Sequence, residues 1–178
     1  MRAILLPGYN GAANQPILIK LEQRLVALGI TCARRELKKG RPSEGLMREM
    51  AQLQGFVTEC PEETVLIGRS FGGRVCARYA AMNQVAAVVL LGFPLRPPGK
   101  RRPDDEAALA ALTCPTLIVQ GDDDELGPLS AFRPLLRKNR ALSLQVVKGA
   151  GHSFGRHESV ALNAGAAWLE TRSRKLTR

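Results

Sequence analysis

Apolar and polar positions fall into two repeating signatures along this chain. Short apolar runs, the mark of strands buried on both faces, alternate with stretches whose apolar residues recur every three or four positions, the mark of amphipathic helices. Arg2 to Leu6 reads as a first strand, ending in the loop Pro7-Gly8-Tyr9-Asn10-Gly11. Pro16 to Leu28 reads as a helix with Ile17, Leu21, Leu25 and Leu28 on one face, stopped by Gly29. Ile30 to Leu37 is a second strand, and Ser43 caps a helix running to about Glu59. Val65 to Ile67 is a third strand, followed by a glycine-rich turn and a helix to Met82. Val85 to Leu91 is a fourth strand, then a Pro-rich connection leads to a helix over Asp104 to Leu112. Thr116 to Gln120 and Leu142 to Val147 are the fifth and sixth strands, with a helix over Leu129 to Lys138 between them. The last helix runs from about His157 to Arg172, with Val160, Leu162, Ala166 and Leu169 largely inward. Strict alternation of strand and helix predicts an α/β fold, with a parallel sheet covered on both sides.

Composition narrows this picture. The 178 residues suit one domain with a sizeable core, spanning 1–178 with a basic tail over about 172–178. No apolar run approaches a membrane span, and the first residues break at once into a turn, so the expected location is cytoplasmic, with no membrane partner. The four cysteines, Cys32, Cys60, Cys76 and Cys114, form no C-x-x-C pair. That spacing argues for reduced thiols and against a metal site.

Charge adds a question. The net charge is +10, with basic clusters at 34–41, 100–102, 133–140 and 172–178. Such a field favours anionic substrates or nucleic acid. Aromatic residues are only 4% of the chain, so a base-stacking platform is poorly supplied and specific nucleic-acid binding is disfavoured.

The chemistry centres on Gly68-Arg69-Ser70-Phe71-Gly72-Gly73, a G-x-S-x-G turn between the third strand and its helix. Such a turn lifts the serine hydroxyl clear of the sheet. A serine needs a base within hydrogen-bond reach to become a nucleophile, and an imidazole can take and return that proton near neutral pH. Only two histidines exist. His152 follows the sixth strand in a glycine-rich loop, whereas His157 starts a helix, where the dipole opposes protonation. His152 is therefore the expected base. A carboxylate must fix its tautomer, and the run Asp122-Asp123-Asp124-Glu125 after the fifth strand offers four. Open parallel sheets carry their sites at these carboxyl ends.

Together, Gly-Arg-Ser-Phe-Gly-Gly-Arg, Gly-Phe-Pro-Leu-Arg-Pro-Pro-Gly-Lys, Gln-Gly-Asp-Asp-Asp-Glu-Leu-Gly and Gly-Ala-Gly-His-Ser-Phe resemble the α/β-hydrolase superfamily. More narrowly they are similar to its small, lidless branch of dienelactone hydrolase-like and testis-expressed hydrolase-like proteins. The resemblance runs from Ala3 to about Leu169. It implies a single-domain α/β-hydrolase fold with a six-stranded, mostly parallel sheet in the order second, first, third, fourth, fifth, sixth. It also implies the absence of the two antiparallel strands that open larger members. The triad order Ser, Asp, His matches. In the family pattern the acid falls three residues after the glycine ending its strand, which is Asp124, with Asp123 the second choice. The oxyanion donors implied are the backbone N–H groups of Phe71 and of Tyr9, the latter on a loop with Pro7 where many members carry His. The lid of larger members is replaced by about a dozen residues after the fourth strand. This predicts an open cleft rimmed by Tyr9, Phe93, Arg96 and Phe154, with Arg69 and Arg96 favouring an anionic acyl group. The implied activity is hydrolysis of a small soluble ester or thioester through Ser70, His152 and Asp124, with no metal or organic cofactor. The alternative is a non-catalytic protein of the same fold that binds an acidic partner through its basic surface.

Overall fold

The computed structural model describes residues 1–57 and 60–176, without the side chains of 174–176. The expected helix end at Glu59 and the last two residues of the basic tail lie outside the described residues. The elements are β1 (Arg2–Leu6), α1 (Pro16–Ala27), β2 (Thr31–Arg34), α2 (Met47–Phe56), β3 (Thr64–Arg69) and α3 (Phe71–Ala80) in the first half. The second half carries β4 (Ala87–Leu91), α4 (Pro103–Ala111), β5 (Thr116–Gly121), α5 (Leu129–Lys138), β6 (Leu142–Val147) and α6 (Glu158–Leu176).

The strands form one six-stranded sheet in the order β2-β1-β3-β4-β5-β6, and all five neighbouring pairs are parallel. The period of two along each strand sorts side chains into two cores. Ile4, Leu6, Leu66, Val88, Leu90 and Ile118 face α2, α3, α4 and α5. Ala3, Leu5, Val65, Ile67, Val89 and Val119 face α1 and α6. The central strands β3, β4 and β5 are buried throughout, which explains their continuous apolar sequence. Among the described residues no helix is long and apolar enough to cross a membrane.

Three boundaries differ from the periodicity. The edge strand β2 stops at Arg34, although the Arg35 N–H still donates to Leu5 O at 3.0 Å. The helix expected from Ser43 is divided, because Leu46 takes a left-handed conformation (φ 60°) that turns its side chain into the core. Ser43 Oγ nonetheless accepts from Arg48 N–H at 3.0 Å, so its capping serves the helix that starts one turn later. In α6, Ala161, Leu162, Ala166 and Leu169 face inward, and Val160 is exposed.

Between β4 and α4 the eleven residues 92–102 contain no helix or strand. The chain thus places no covering element above the sheet's carboxyl edge at this point.

Candidate active site

Ser70 sits at the abrupt junction of β3 and α3, with φ 48° and ψ −108°, a backbone region L-residues rarely adopt. Holding it there costs on the order of 1–3 kcal/mol, and such strain marks functional turns. The Ser70 N–H donates to Leu91 O at 2.9 Å, which pins the turn to the end of β4. Two glycines make the turn sterically possible. A Cβ on Gly68 would lie 2.3 Å from the Gly73 nitrogen, and one on Gly72 would lie 2.5 Å from Pro7 O. Because Gly72 N–H also donates to Pro7 O at 3.0 Å, the β1 loop is held against the start of α3. Gly72→Ala should push these two backbones apart and cost roughly 1–3 kcal/mol. Urea unfolding measures this, and an unchanged midpoint would refute the close approach.

His152, in the loop after β6, reaches across to this turn. Its Nε2 lies 2.9 Å from Ser70 Oγ, and its Nδ1 lies 2.9 Å from Asp124 Oδ2. Asp124 is buried at 2% exposure, while Asp122, Asp123 and Glu125 are exposed. The burial is compensated: Asp124 Oδ2 also accepts from Gln120 Nε2 at 2.7 Å, and Oδ1 accepts from Leu126 N–H at 2.9 Å. Gln120 itself accepts from Phe93 N–H at 2.8 Å and donates to Gly127 O at 3.0 Å. It links the ends of β4 and β5 beneath the carboxylate. Asp122 instead accepts from Gly149 N–H at 2.7 Å, and His157 accepts from its neighbour Arg156.

The backbone N–H groups of Phe71 and Tyr9 have no hydrogen-bond partner among the described residues. Phe71 is the first residue of α3, where no intrahelical acceptor exists. The Tyr9 ring meets the Phe71 ring edge-on, 5.7 Å between centroids, with Tyr9 55% exposed. A cleft of about 410 Å³ opens at Ser70, between Gly8, Gln15, Arg69, His152 and Glu158.

The expected substrate rim is not assembled as the sequence suggested. Phe93 is fully buried against Phe132, and Phe154 is buried at 1% exposure with the Arg69 guanidinium 5.7 Å from its ring. Arg96 is exposed but bonds Glu106 at 2.7 Å. Arg69, 9% exposed, borders the cleft yet uses its guanidinium on backbone carbonyls. It donates to His152 O at 2.7 Å, to Leu91 O at 3.3 Å and to Gly92 O at 3.4 Å, with Nη1 3.3 Å from His152 Nε2. Burial pulls its pKa down from the ordinary value, and the nearby Asp124 and Glu158 carboxylates oppose that. Arg69 is thus a clamp joining the serine turn to the histidine loop. Its partners lie 22 to 83 residues away, and nothing local announces them. Gln120 did carry a signal, as the sole amide in the buried strand Thr-Leu-Ile-Val-Gln-Gly.

Among the described residues no group of His, Cys, Asp and Glu is arranged to hold a metal ion. No curated protein sequence matches the chain significantly. Several solved structures match in fold. Est1E from Butyrivibrio proteoclasticus, solved with ferulic acid bound, aligns with a TM-score of 0.79 at 16% identity over 94% of this chain and 87% of that one. A monoacylglycerol lipase from Paleococcus ferrophilus gives 0.77 at 18% identity over 96% and 94%. A dienelactone hydrolase from Anabaena variabilis gives 0.74 at 21% identity over 96% and 83%. At these identities the likeness establishes the fold. A family model described as "Alpha/beta hydrolase domain" matches residues 29–174, and the chain belongs to that family.

Proposed function

We propose that the protein is a serine hydrolase of small esters or thioesters. The observation that carries this reading is the unbroken chain from Ser70 Oγ through the His152 ring to buried Asp124, with 2.9 Å at each contact. His152 Nε2 takes the Ser70 proton as Oγ attacks the acyl carbonyl. The carbonyl oxygen becomes an oxyanion that accepts from the Phe71 and Tyr9 N–H groups. The imidazolium then returns its proton to the departing alkoxide or thiolate, leaving the acyl group on Ser70. Water attacks next, its proton goes to His152, and the acid leaves as Ser70 Oγ is reprotonated. Asp124 holds the Nδ1–H tautomer throughout and stabilises the transient imidazolium. Ferulic acid bound to Est1E, and the lipase and dienelactone hydrolase among the fold relatives, agree with an ester substrate. The short connection after β4 favours small acyl groups, since nothing in it shields a long lipid chain.

Labelling with a fluorophosphonate probe tests this reading. Wild type should label, and Ser70→Ala and His152→Ala should not. A folded wild type that fails to label would overturn it and leave a binding role for the fold.

A further inference from the structure

Gln15 occupies the N-cap position of α1, where serine, threonine, asparagine or aspartate would cap a helix well and glutamine does not. Its side chain makes no cap bond to α1. Instead Oε1 accepts from Gly8 N–H at 3.3 Å, seven residues back in the loop after β1. The helix gives this glutamine a firm base, because Gln15 O accepts from Leu18 N–H at 2.9 Å and from Ile19 N–H at 3.1 Å. Gly11 makes room for the amide, since a Cβ there would lie 2.2 Å from Gln15 Nε2. Gln15 and Gly8 line the same cleft as Ser70.

The bond matters for what it holds. The Pro7–Gly8 peptide is gripped at both ends, its oxygen by Gly72 N–H at 3.0 Å and its N–H by Gln15. The next peptide, Gly8–Tyr9, has its oxygen bonded by Gly11 N–H at 3.0 Å. At its other end the Tyr9 N–H remains without a partner among the described residues. Gly8 passes beside the nucleophile, for a Cβ on it would lie 3.8 Å from Ser70 Cβ. The outer part of the loop is tied separately: Asn10 Oδ1 accepts from Gly40 N–H at 2.8 Å, and Glu36 accepts from Ala13 N–H at 2.8 Å. We propose that Gln15 is a positioning residue for the oxyanion hole, blocking rotation of the Pro7–Gly8 peptide and so keeping the Tyr9 N–H in place for the oxyanion. This rests on the hydrolase reading. Donors of this kind act through being fixed before the reaction, and a peptide free to turn must be ordered anew at each transition state.

The test is Gln15→Met, which keeps the side chain's length and removes its acceptor. With a short p-nitrophenyl ester, kcat should fall about tenfold to hundredfold while KM stays within about twofold, because the oxyanion exists only beyond the ground state. A trifluoromethyl ketone should lose affinity by a comparable factor: Ser70 Oγ adds to its carbonyl, the serine proton passes to His152, and the carbonyl oxygen becomes an oxyanion in the same place. Circular dichroism checks that the variant folds. Amide exchange by NMR reads the bond itself. Gly8 N–H should exchange about tenfold faster in Gln15→Met and keep its wild-type rate in Gln15→Glu, whose carboxylate still accepts. A kcat loss below about threefold, a loss carried by KM, or unchanged Gly8 exchange in Gln15→Met would overturn the proposal. If wild type neither cleaves esters nor labels at Ser70, the hydrolase reading fails and the proposal falls with it. If wild type cleaves and Gln15→Met cleaves as fast, the proposal alone fails.

Discussion

Asp124→Asn should lower kcat/KM for a short p-nitrophenyl ester by roughly 10⁴-fold, the scale seen when a triad carboxylate becomes an amide. The local hydrogen bonds explain why the substitution cannot be absorbed. Every partner of this carboxylate is a donor: Gln120 Nε2 and Leu126 N–H, with the His152 Nδ1–H in the productive tautomer. An asparagine offers one oxygen and must turn its NH₂ toward a donor. Facing His152, it selects the wrong tautomer. Facing Leu126, it leaves that partly buried N–H unpaired at a cost of about 1 kcal/mol or more. Asp123→Asn, at an exposed neighbour, should change the rate by less than about twofold, since surface positions away from such networks are usually near neutral. A loss at Asp124 of less than about tenfold would remove it from the proposed role.

The second large effect concerns stability. Asp105→Asn should lower the unfolding free energy by about 3–5 kcal/mol, because the substitution strands guanidinium groups in a largely buried site. Asp105 is fully buried and accepts from Arg74 Nε at 2.5 Å and Arg78 Nε at 2.6 Å, while Arg102 Nη1 stands 3.9 Å away. For a chain of this size that corresponds to a fall in Tm of about 10 °C, readable by circular dichroism. Arg74, Arg78 and Arg102 are only 11% to 15% exposed, so solvent screens the excess charge poorly. Adding Arg102→Gln to Asp105→Asn should recover part of the loss by removing one of three mutually repelling cations. A fall in Tm below about 3 °C would mean that water, rather than Asp105, neutralises the cluster.

Much of this architecture was legible because parallel strands buried on both faces must be apolar throughout. Val65–Ile67, Ala87–Leu91 and Thr116–Gly121 announce themselves in that way. The serine turn was legible because two backbones there approach too closely for any side chain, which reserves Gly68 and Gly72. His152 followed from the scarcity of histidine and its place at a strand end. The acid did not follow from the residues alone. Four consecutive carboxylates look alike in sequence, and it was family resemblance that favoured Asp124, the one the fold buries. What escaped was long-range pairing. Arg69 and Arg96 read as cations favouring an anionic acyl group, and only the fold gives them His152 O and Glu106. Phe93 and Phe154 sit beside loops that reach the site, yet their rings turn into the core. Asp105 lies in an acidic first turn that resembles an ordinary response to the helix dipole, and its arginines come from another helix and the preceding loop.

The eleven residues between β4 and α4, which form no helix or strand, also bear on what would become of an acylated serine in the proposed mechanism. Under a closed roof, an acyl-enzyme can wait for a chosen acceptor while solvent is kept out. In the proposed mechanism the half-buried Ser70 borders an open cleft, so any other alcohol, amine or thiol would have to compete with water there. On the proposed reading, partitioning at that branch point would be set by exposure and would run toward the free acid.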